Sequence, residues 1–351
     1  MYIWQVVKRF HDILRACNIF QFPRTSQPAL PLETIQKLIA HEIQAVDALI
    51  RRRLDSDVVL VRTIAEYIIG SGGKRLRPVL VLLAAGAGGY RGSAHVELAA
   101  VVEFIHTATL LHDDVVDESS LRRGKLTANA EYGNAASVLV GDFLYSRAFQ
   151  MMVGVGSMRI MEVLADATNA IAEGEVLQLI NARNPDLDEP RYFDVIQRKT
   201  ARLFEASARL GAIVSGAPAS AEEGLARYGS YLGTAFQLID DVLDYSGDET
   251  ETGKHLGDDL AEGKMTLPLI HVLRHGSREQ AAAVRRAIED GDSTNFHAVL
   301  EAIQSTDALS AVRARAAGQA ELASQAIESL PPSNHKQCLL ELASFAVERR
   351  Y

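Results

Sequence analysis

Hydrophobic positions recur at steps of three and four residues from Pro31 to the end of the chain, which is the spacing of one face of an α-helix. The first run joins apolar positions from Leu32 to Leu54 and predicts one long amphipathic helix with Pro31 near its first turn. Further helices are predicted at 59–71, 75–90, 93–116, 128–153, 157–182, 190–215, 220–245, 264–275, 277–290, 294–304, 306–329 and 335–350. Strand-like alternation is missing, so we expect an all-α fold, a single large helical bundle over residues 31–351.

Two copies of one acidic motif lie within these apolar helices. They are Asp113, Asp114 and Asp117 in the first copy and Asp240, Asp241 and Asp244 in the second. Carboxylates four residues apart face the same way on a helix, and their charges repel unless a cation lies against them. Hard divalent ions with oxygen ligands are the natural candidate. A solvated acidic face is the alternative, but an apolar turn precedes each copy. The pair therefore predicts a metal site in a central cavity between facing helices.

Composition limits the other functions that the chain can have. Its 351 residues are 48% hydrophobic and 23% charged, as in ordinary globular proteins. A formal net charge of −9 argues against non-specific binding of nucleic acid, which needs a surplus of cations. Cys17 and Cys338 lack metal-ligand spacing and favour a reducing compartment, so we expect a cytoplasmic protein.

Residues 1–30 differ from the rest of the sequence. They carry four basic residues against one acid, Asp12, and their apolar positions have a loosely helical spacing. An interfacial anchor, a targeting segment or a disordered extension ahead of the domain would each fit, and the extension is the simplest interpretation. No apolar run approaches the ~20 residues that span a bilayer, so we expect no transmembrane segment.

Basic residues cluster at two places where a phosphate-bearing ligand of the metal site would need cations. The clusters are Gly72-Gly73-Lys74-Arg75-Leu76-Arg77-Pro78 and Arg122-Arg123-Gly124. In the first, two glycines let the backbone approach a ligand while Lys74 and Arg77 project as cations. The second follows the first acidic motif on the loop that leaves its helix. The alternatives are solvent-facing cations and a local ion pair of Arg122 with Asp117 or Glu118.

Other polar residues lie inside apolar helices, where an unpaired polar group costs about 1–3 kcal/mol. His106 lies close to two helical turns before Asp113, on the same face, although a lone histidine there is more often an ordinary core residue. Further candidates are Lys199 and Thr200 in mid-helix, Gln237 three residues before the second acidic motif, and Lys254 and Lys264, each after a glycine. Glycine-bounded segments such as 253–264 commonly form mobile lids.

These motifs, in this order, resemble the trans-isoprenyl diphosphate synthases of the polyprenyl synthetase family from about Pro31 to the C-terminus. The segment from Phe104 to Ser119 is most similar to the bacterial members that make octaprenyl diphosphate. The resemblance implies the isoprenoid synthase fold, a homodimer, and Mg²⁺-dependent sequential condensation of isopentenyl diphosphate with an allylic diphosphate. The expected reaction runs from farnesyl to octaprenyl diphosphate for a quinone side chain, with peripheral membrane contact at product release.

The resemblance also implies a role for each motif residue. Three Mg²⁺ ions would be held by Asp113, Asp117 and Asp240, with less direct contributions from Asp114, Asp241 and Asp244. Isopentenyl diphosphate would be bound by Lys74, Arg77, His106 and Arg123. The allylic diphosphate would be bound by Arg122, Lys199, Thr200, Gln237, Lys254 and Lys264, of which Arg122, Lys199 and Gln237 are the candidate catalytic residues. Arg349-Arg350 would either fold over the site or remain apart from it.

Product length is expected to depend on Ala108 and Thr109, which lie five and four residues before Asp113. Neither is bulky, whereas short-chain members of the family carry an aromatic side chain in this region that blocks the growing tail. Each buried CH₂ of the tail would contribute roughly 0.8 kcal/mol, so an open tunnel favours a long product. Close helix packing is the alternative explanation of Ala108.

Three other functions compete with the long-chain synthase. They are a shorter-chain geranylgeranyl synthase, a terpene cyclase and an inactive regulatory subunit. Cyclases carry an Asn/Asp-Ser/Thr-Glu type motif in place of the second aspartate cluster, so Asp240 to Asp244 argues against a cyclase. Both acidic motifs and their basic partners are present, which argues against a decayed site.

Overall fold

The computed structural model describes residues 31–70, 72–246, 256–291 and 296–349. The predicted extension at 1–30 and the predicted ligand Lys254 lie outside these residues. The helices are α1 Pro31–Leu38, α2 Ala40–Arg53, α3 Val59–Ile69, α4 Leu76–Ala87, α5 Ala94–Val116, α6 Ala128–Tyr132, α7 Asn134–Val155, α8 Met158–Asn181, α9 Glu189–Ile196, α10 Arg202–Val214, α11 Ala219–Ser246, α12 Asp258–Ala261, α13 Leu267–His275, α14 Arg278–Asp290, α15 Phe296–Ser305, α16 Ala308–Ala326 and α17 Asn334–Glu348. A π-helix, Gln197–Ala201, joins α9 to α10. The all-α fold is confirmed.

The first helix is interrupted, and the prediction of one unbroken helix there is wrong. Ile39 separates α1 from α2 with φ −114° and ψ 21°, outside the helical region. Ile35, Ile39, Val46 and Ile50 are all buried, so the apolar face continues across the interruption. The predicted helix 128–153 is likewise divided, because Gly133 has φ 86° between α6 and α7.

A short antiparallel hairpin follows α5. Leu121 pairs with Leu126 and Arg122 with Lys125, leaving Arg123 and Gly124 as a two-residue turn. Both turn residues have positive φ, 53° and 70°, as a type I′ turn requires. The hairpin points the side chains of Arg122 and Arg123 in different directions, so the two arginines reach different partners.

The central helix of the bundle is α5, which packs against α4, α7 and α10. Residues 98–102 and Phe104, Ile105, Ala108 and Leu111 are buried along it. Among the described residues, α5 is the one helix that is long and apolar enough to cross a membrane, and 61% of its most apolar stretch is buried inside the bundle. Glu103, Asp113 and Asp114 on the same helix are polar positions that the bundle accommodates.

Two hydrophobic cores meet along α11. Leu225, Tyr228 and Leu232 belong to the larger core, to which α1 to α8, α10, α16 and α17 also contribute. From Leu238 onward the same helix belongs to a second core, formed with α9 and with α13 to α16. The second acidic motif therefore lies on a rigid helix that is packed over most of its length.

Candidate active site

The first acidic motif lies at the C-terminal end of α5, where Asp117 is the C-cap residue. The ammonium of Lys199 lies 3.7 Å from Asp113 Oδ2, and that of Lys264 lies 2.8 Å from Asp117 Oδ2. The intervening Asp114 is fully buried and turned toward the hairpin, where Arg122 contacts its Oδ1 through NH2 at 2.7 Å and Nε at 2.8 Å. Asp113 and Asp117 thus both face cavity lysines, as their four-residue spacing predicts, whereas Asp114 faces the hairpin.

Asp114, rather than Asp117 or Glu118, is the ion-pair partner of Arg122. Both guanidinium nitrogens contact the same carboxylate oxygen, and charge-assisted contacts of this kind are among the stronger polar contacts in proteins. It fixes the hairpin against the end of α5 and so sets the position of the neighbouring Arg123.

The second acidic motif lies on α11, and its first two carboxylates, Asp240 and Asp241, have different environments. Asp240 is partly exposed, and Arg349 lies 2.7 Å from its Oδ1. Asp241 is buried and accepts hydrogen bonds from the Tyr192 hydroxyl at 2.6 Å and from Gln237 Nε2 at 3.0 Å. Burial raises the pKa of Asp241 to about 7, and the charge of Asp259 adds to this, against the hydrogen bonds. Asp241 is therefore mainly a hydrogen-bond acceptor that orders the site.

One cavity joins the two motifs. Lys199, Thr200, Gln237, Asp241 and Lys264 all line it. Two of these, Lys199 and Lys264, also contact Asp113 and Asp117 of the first motif, so α5 and α11 present their acidic ends to the same cavity. Although burial lowers the pKa of Lys264, the charges of Asp259, Glu262 and Asp117 outweigh it and raise that pKa well above its usual value.

The π-helix presents Lys199 and Thr200 to this cavity. Thr200 Oγ1 donates to Gln237 Oε1 at 2.9 Å, and Gln237 in turn donates to Asp241. Single π-turns within α-helices are frequent at functional sites, where they alter the direction of side chains. The sequence predicted these residues inside a regular helix, whereas the structure places them on a π-helical turn.

The predicted isopentenyl diphosphate ligands form one basic cluster. Burial lowers the pKa of Lys74 to about 8 and that of Arg77 to about 10, with the charge of Arg123 acting in the same direction on both. The pKa of His106 lies well below its usual value because of burial and the nearby charges of Arg77 and Arg123. Arg77 Nε is buried without a hydrogen-bond partner among the described residues. An anion bound here would be stabilised by all four side chains.

Glycine geometry holds this cluster together. Arg123 NH1 donates to the carbonyl of Gly72, and a Cβ on Gly73 would lie only 2.7 Å from that same nitrogen. Gly73 also has φ 140°, which L side chains rarely adopt. The two glycines therefore allow a side chain 50 residues later in the chain to lie against the loop backbone.

Several residues that sequence reasoning did not assign also belong to the site. Glu103 is buried on α5 and pairs with Arg75, and its charge opposes the lowering of the pKa values of Arg77 and Arg123. Glu175 pairs with Lys199. A glutamate inside the apolar run of α5 and a glycine beside Glu175 in mid-helix are the signals that could have indicated them.

The acidic residues suit a hard divalent cation by their chemistry. Among the described residues no three acidic, histidine or cysteine side chains are grouped to hold a metal ion as they stand. Lysine and arginine side chains contact the acids. Asp113, Asp117 and Asp240 nevertheless offer only carboxylate oxygens and keep side-chain exposures of 15%, 16% and 44%. The partners of Asp113 and Asp117 are lysines with long, flexible side chains that can turn away, so the donor set fits Mg²⁺.

Ala108 and Thr109 do not line the cavity described above. Ala108 is fully buried in the larger core, and Thr109 Oγ1 donates to the carbonyl of His106 at 2.8 Å. Their role in product length remains a prediction.

The chain belongs to the polyprenyl synthetase family, whose model matches residues 58–305. It is 54% identical over 319 residues to an octaprenyl diphosphate synthase of Escherichia coli, covering 91% of this chain and 99% of the relative. The crystal structure of a polyprenyl synthase from Caulobacter crescentus, complexed with calcium and isoprenyl diphosphate, is 44% identical with a TM-score of 0.89, over 94% and 100% of the two chains. The crystal structure of a decaprenyl diphosphate synthase from Rhodobacter capsulatus is 45% identical with a TM-score of 0.86, and the match covers 92% of this chain and 100% of that chain.

Proposed function

We propose that this chain is a long-chain all-trans polyprenyl diphosphate synthase that extends farnesyl diphosphate with isopentenyl diphosphate to octaprenyl diphosphate, for a quinone side chain. The observation that carries the proposal is that Lys199 and Lys264 join the first acidic motif to a cavity that Asp241 of the second motif also lines. The 54% identity to the octaprenyl diphosphate synthase of Escherichia coli supports this product length.

The allylic diphosphate would lie between the two acidic motifs. Asp113, Asp117 and Asp240 would hold three Mg²⁺ ions, which stabilise the negative charge that grows on the departing diphosphate as the allylic carbon–oxygen bond breaks. The ammonium groups of Lys199 and Lys264 would exchange their carboxylate partners for diphosphate oxygens. The remaining proposed contacts are Arg122, Thr200, Gln237 and Lys254.

Isopentenyl diphosphate would occupy the basic cluster of Lys74, Arg77, His106 and Arg123. The mutual lowering of pKa in this cluster supports an anion there, because a diphosphate would relieve the repulsion between its cations. The double bond of this substrate attacks the allylic carbon, and a proton is then lost to the departing diphosphate. The product is longer by one five-carbon unit, and the packed helices around the site exclude water that would quench the allylic cation.

A homodimer is part of the proposal, and the exposed face of α7 and α8 supports it. Two residues separate these helices. Large apolar side chains are exposed along both helices: Leu139, Phe149, Val153, Met158, Val176, Leu179 and Ile180. An exposed apolar surface of this extent is typical of an interface, and a second copy of the chain would cover it.

We further propose a cytoplasmic location, with peripheral membrane contact when the apolar product is released.

The test of the function is incorporation of labelled isopentenyl diphosphate by the full chain with farnesyl diphosphate and Mg²⁺, followed by chromatography of the products. We expect octaprenyl diphosphate. A product of geranylgeranyl length would overturn the proposed chain length, and release of a hydrocarbon would favour a terpene cyclase. No elongation by well-folded protein would favour a regulatory subunit.

A further inference from the structure

Helix α8 lies directly against the π-helix at one glycine. A Cβ on Gly174 would come within 2.7 Å of the backbone nitrogen of Lys199 and 2.9 Å of Cβ of Arg198. Real Cβ atoms do not approach so closely, so only glycine allows the two backbones to lie at this distance. The contact brings the residues that flank Gly174 next to the segment that carries Lys199.

The two glutamates that flank Gly174 each pair with a cation of the π-helix, but in different surroundings. Glu173 pairs with Arg198 at the surface, where the two side chains are 52% and 39% exposed. Glu175 is less exposed and contacts a residue that lines the cavity: its Oε2 is 2.5 Å from Nζ of Lys199, with side-chain exposures of 29% and 20%. The first pair is a solvent-screened contact of small energetic value, whereas the second is partly desolvated.

The ammonium of Lys199 therefore has two carboxylate neighbours on two different helices, Glu175 on α8 and Asp113 on α5, the latter at 3.7 Å. Of these, Glu175 makes the shorter contact. Asp113 belongs to the motif proposed to bind metal, and a carboxylate that ligates metal has less charge to offer an ammonium. Glu175 is then the partner that continues to hold Lys199 in place.

The electrostatic environment of Glu175 agrees with this role. Burial raises its pKa to about 7, and the nearby charge of Asp113 acts in the same direction, while Lys199 opposes both. The ammonium of Lys199 is thus the neighbour that favours the charged form of this carboxylate, against burial and the charge of Asp113.

We propose that Glu175 is a positioning residue that holds the ammonium of Lys199 at the allylic diphosphate, acting through the contact that Gly174 makes possible. This inference deepens the proposed function and rests on it. Glu175 does not touch the substrate in this account. It fixes a flexible lysine side chain whose free rotamers would otherwise point the charge elsewhere, and preorganisation of this kind favours binding and the transition state.

The test compares Glu175→Gln, which keeps the shape and loses the charge, with Glu173→Gln as the matched control two residues away on the same helix. For Glu175→Gln we expect KM for farnesyl diphosphate to rise about tenfold, as loss of one charge-assisted hydrogen bond predicts, while KM for isopentenyl diphosphate changes less than about twofold. Glu173→Gln should behave as the wild type. Equal loss for both substrates, or no change for either, would overturn the inference.

A double-mutant cycle distinguishes positioning from a general structural effect. If Glu175 acts through Lys199, adding Glu175→Gln to Lys199→Ala should change KM for farnesyl diphosphate no further, whereas independent effects would multiply and overturn the inference. Should Glu175→Gln fail to fold, Glu175→Asp serves in its place, because it retains the charge but its shorter side chain does not reach Lys199 as well. It should likewise raise KM for farnesyl diphosphate more than KM for isopentenyl diphosphate. Wild-type protein that transfers no prenyl group would instead overturn the proposed function and the inference together.

Discussion

Arg349 contacts Asp240 at 2.7 Å, although the two residues are separated by the whole C-terminal part of the chain. The Arg349 side chain is only 3% exposed, and its guanidinium stacks 3.7 Å from the centre of the Phe236 ring and donates to the carbonyl of the same residue. The end of α17 therefore folds over the site, which settles for Arg349 the question that the sequence left open. Arg350 lies outside the described residues.

Because Arg349 neutralises a proposed metal ligand, its removal should strengthen metal binding. We expect Arg349→Met to lower the Mg²⁺ concentration for half-maximal prenyl transfer about fivefold, which corresponds to one partly exposed charge contact of about 1 kcal/mol. The measurement is a Mg²⁺ titration of initial rates. Arg315→Met is the control, since Arg315 pairs with Glu189 at the surface. An unchanged or higher Mg²⁺ requirement in Arg349→Met would contradict this interpretation.

The lowered pKa of Lys74 predicts a pH dependence. Burial and the charge of Arg349 bring this pKa to about 8, so Lys74 carries its positive charge below that pH and loses it above. Binding of isopentenyl diphosphate needs the charged form, and kcat/KM for this substrate should fall as pH rises through about 8. Lys74→Arg should abolish this fall because a guanidinium stays charged. The same fall in both proteins would assign the titration to another group.

Ala108 offers the test of product length. Ala108→Tyr should shorten the products toward geranylgeranyl diphosphate, as seen by chromatography, because a phenol ring would fill the space proposed for the tail. The residue is fully buried, and overpacking a core costs about 1–3 kcal/mol, so thermal unfolding must be measured alongside. Ala108→Ser is the size-matched control and should leave product length as it is. Long products from a folded Ala108→Tyr protein would remove this residue from the explanation.

Two glycines inside neighbouring helices predict opposite effects of the same substitution. Gly174→Ala should destabilise the protein by about 1–3 kcal/mol and reduce prenyl transfer, because its Cβ would collide with the π-helix backbone. Gly154→Ala on α7 should stabilise it by about 0.5–1 kcal/mol, since nothing lies within 4 Å of the added atom. Chemical denaturation of both variants tests the pair, and a tolerated Gly174→Ala would show that the close approach is not needed.

Much of the fold could be predicted from the sequence because apolar spacing follows burial. The interruption at Ile39 could not, since the buried face continues through it without glycine or proline. The direction of Arg122 was also beyond prediction. It depends on a hairpin whose turn residues, Arg123 and Gly124, take positive φ, and an arginine gives little local signal for that conformation.

For the site, the acidic motifs could be predicted because their spacing alone places both carboxylates on one face. Their partners could not be predicted, because they arise from tertiary contacts between distant helices. Arg349, for example, contacts Asp240 from the last helix of the chain, and no local pattern in the sequence ties the two residues together. The roles proposed for the motif residues remain predictions that the experiments above address.

The central claim is that the two acidic motifs jointly hold divalent metal ions around an allylic diphosphate. Its most direct test is a crystal structure of the full chain with Mn²⁺ and farnesyl thiolodiphosphate, with anomalous scattering used to locate the metal. We predict anomalous peaks at Asp113, Asp117 and Asp240, with Lys199 and Lys264 turned from the carboxylates to the diphosphate. Metal-free carboxylates that retain their contacts with Lys199, Lys264 and Arg349 while the analogue is bound would contradict the account.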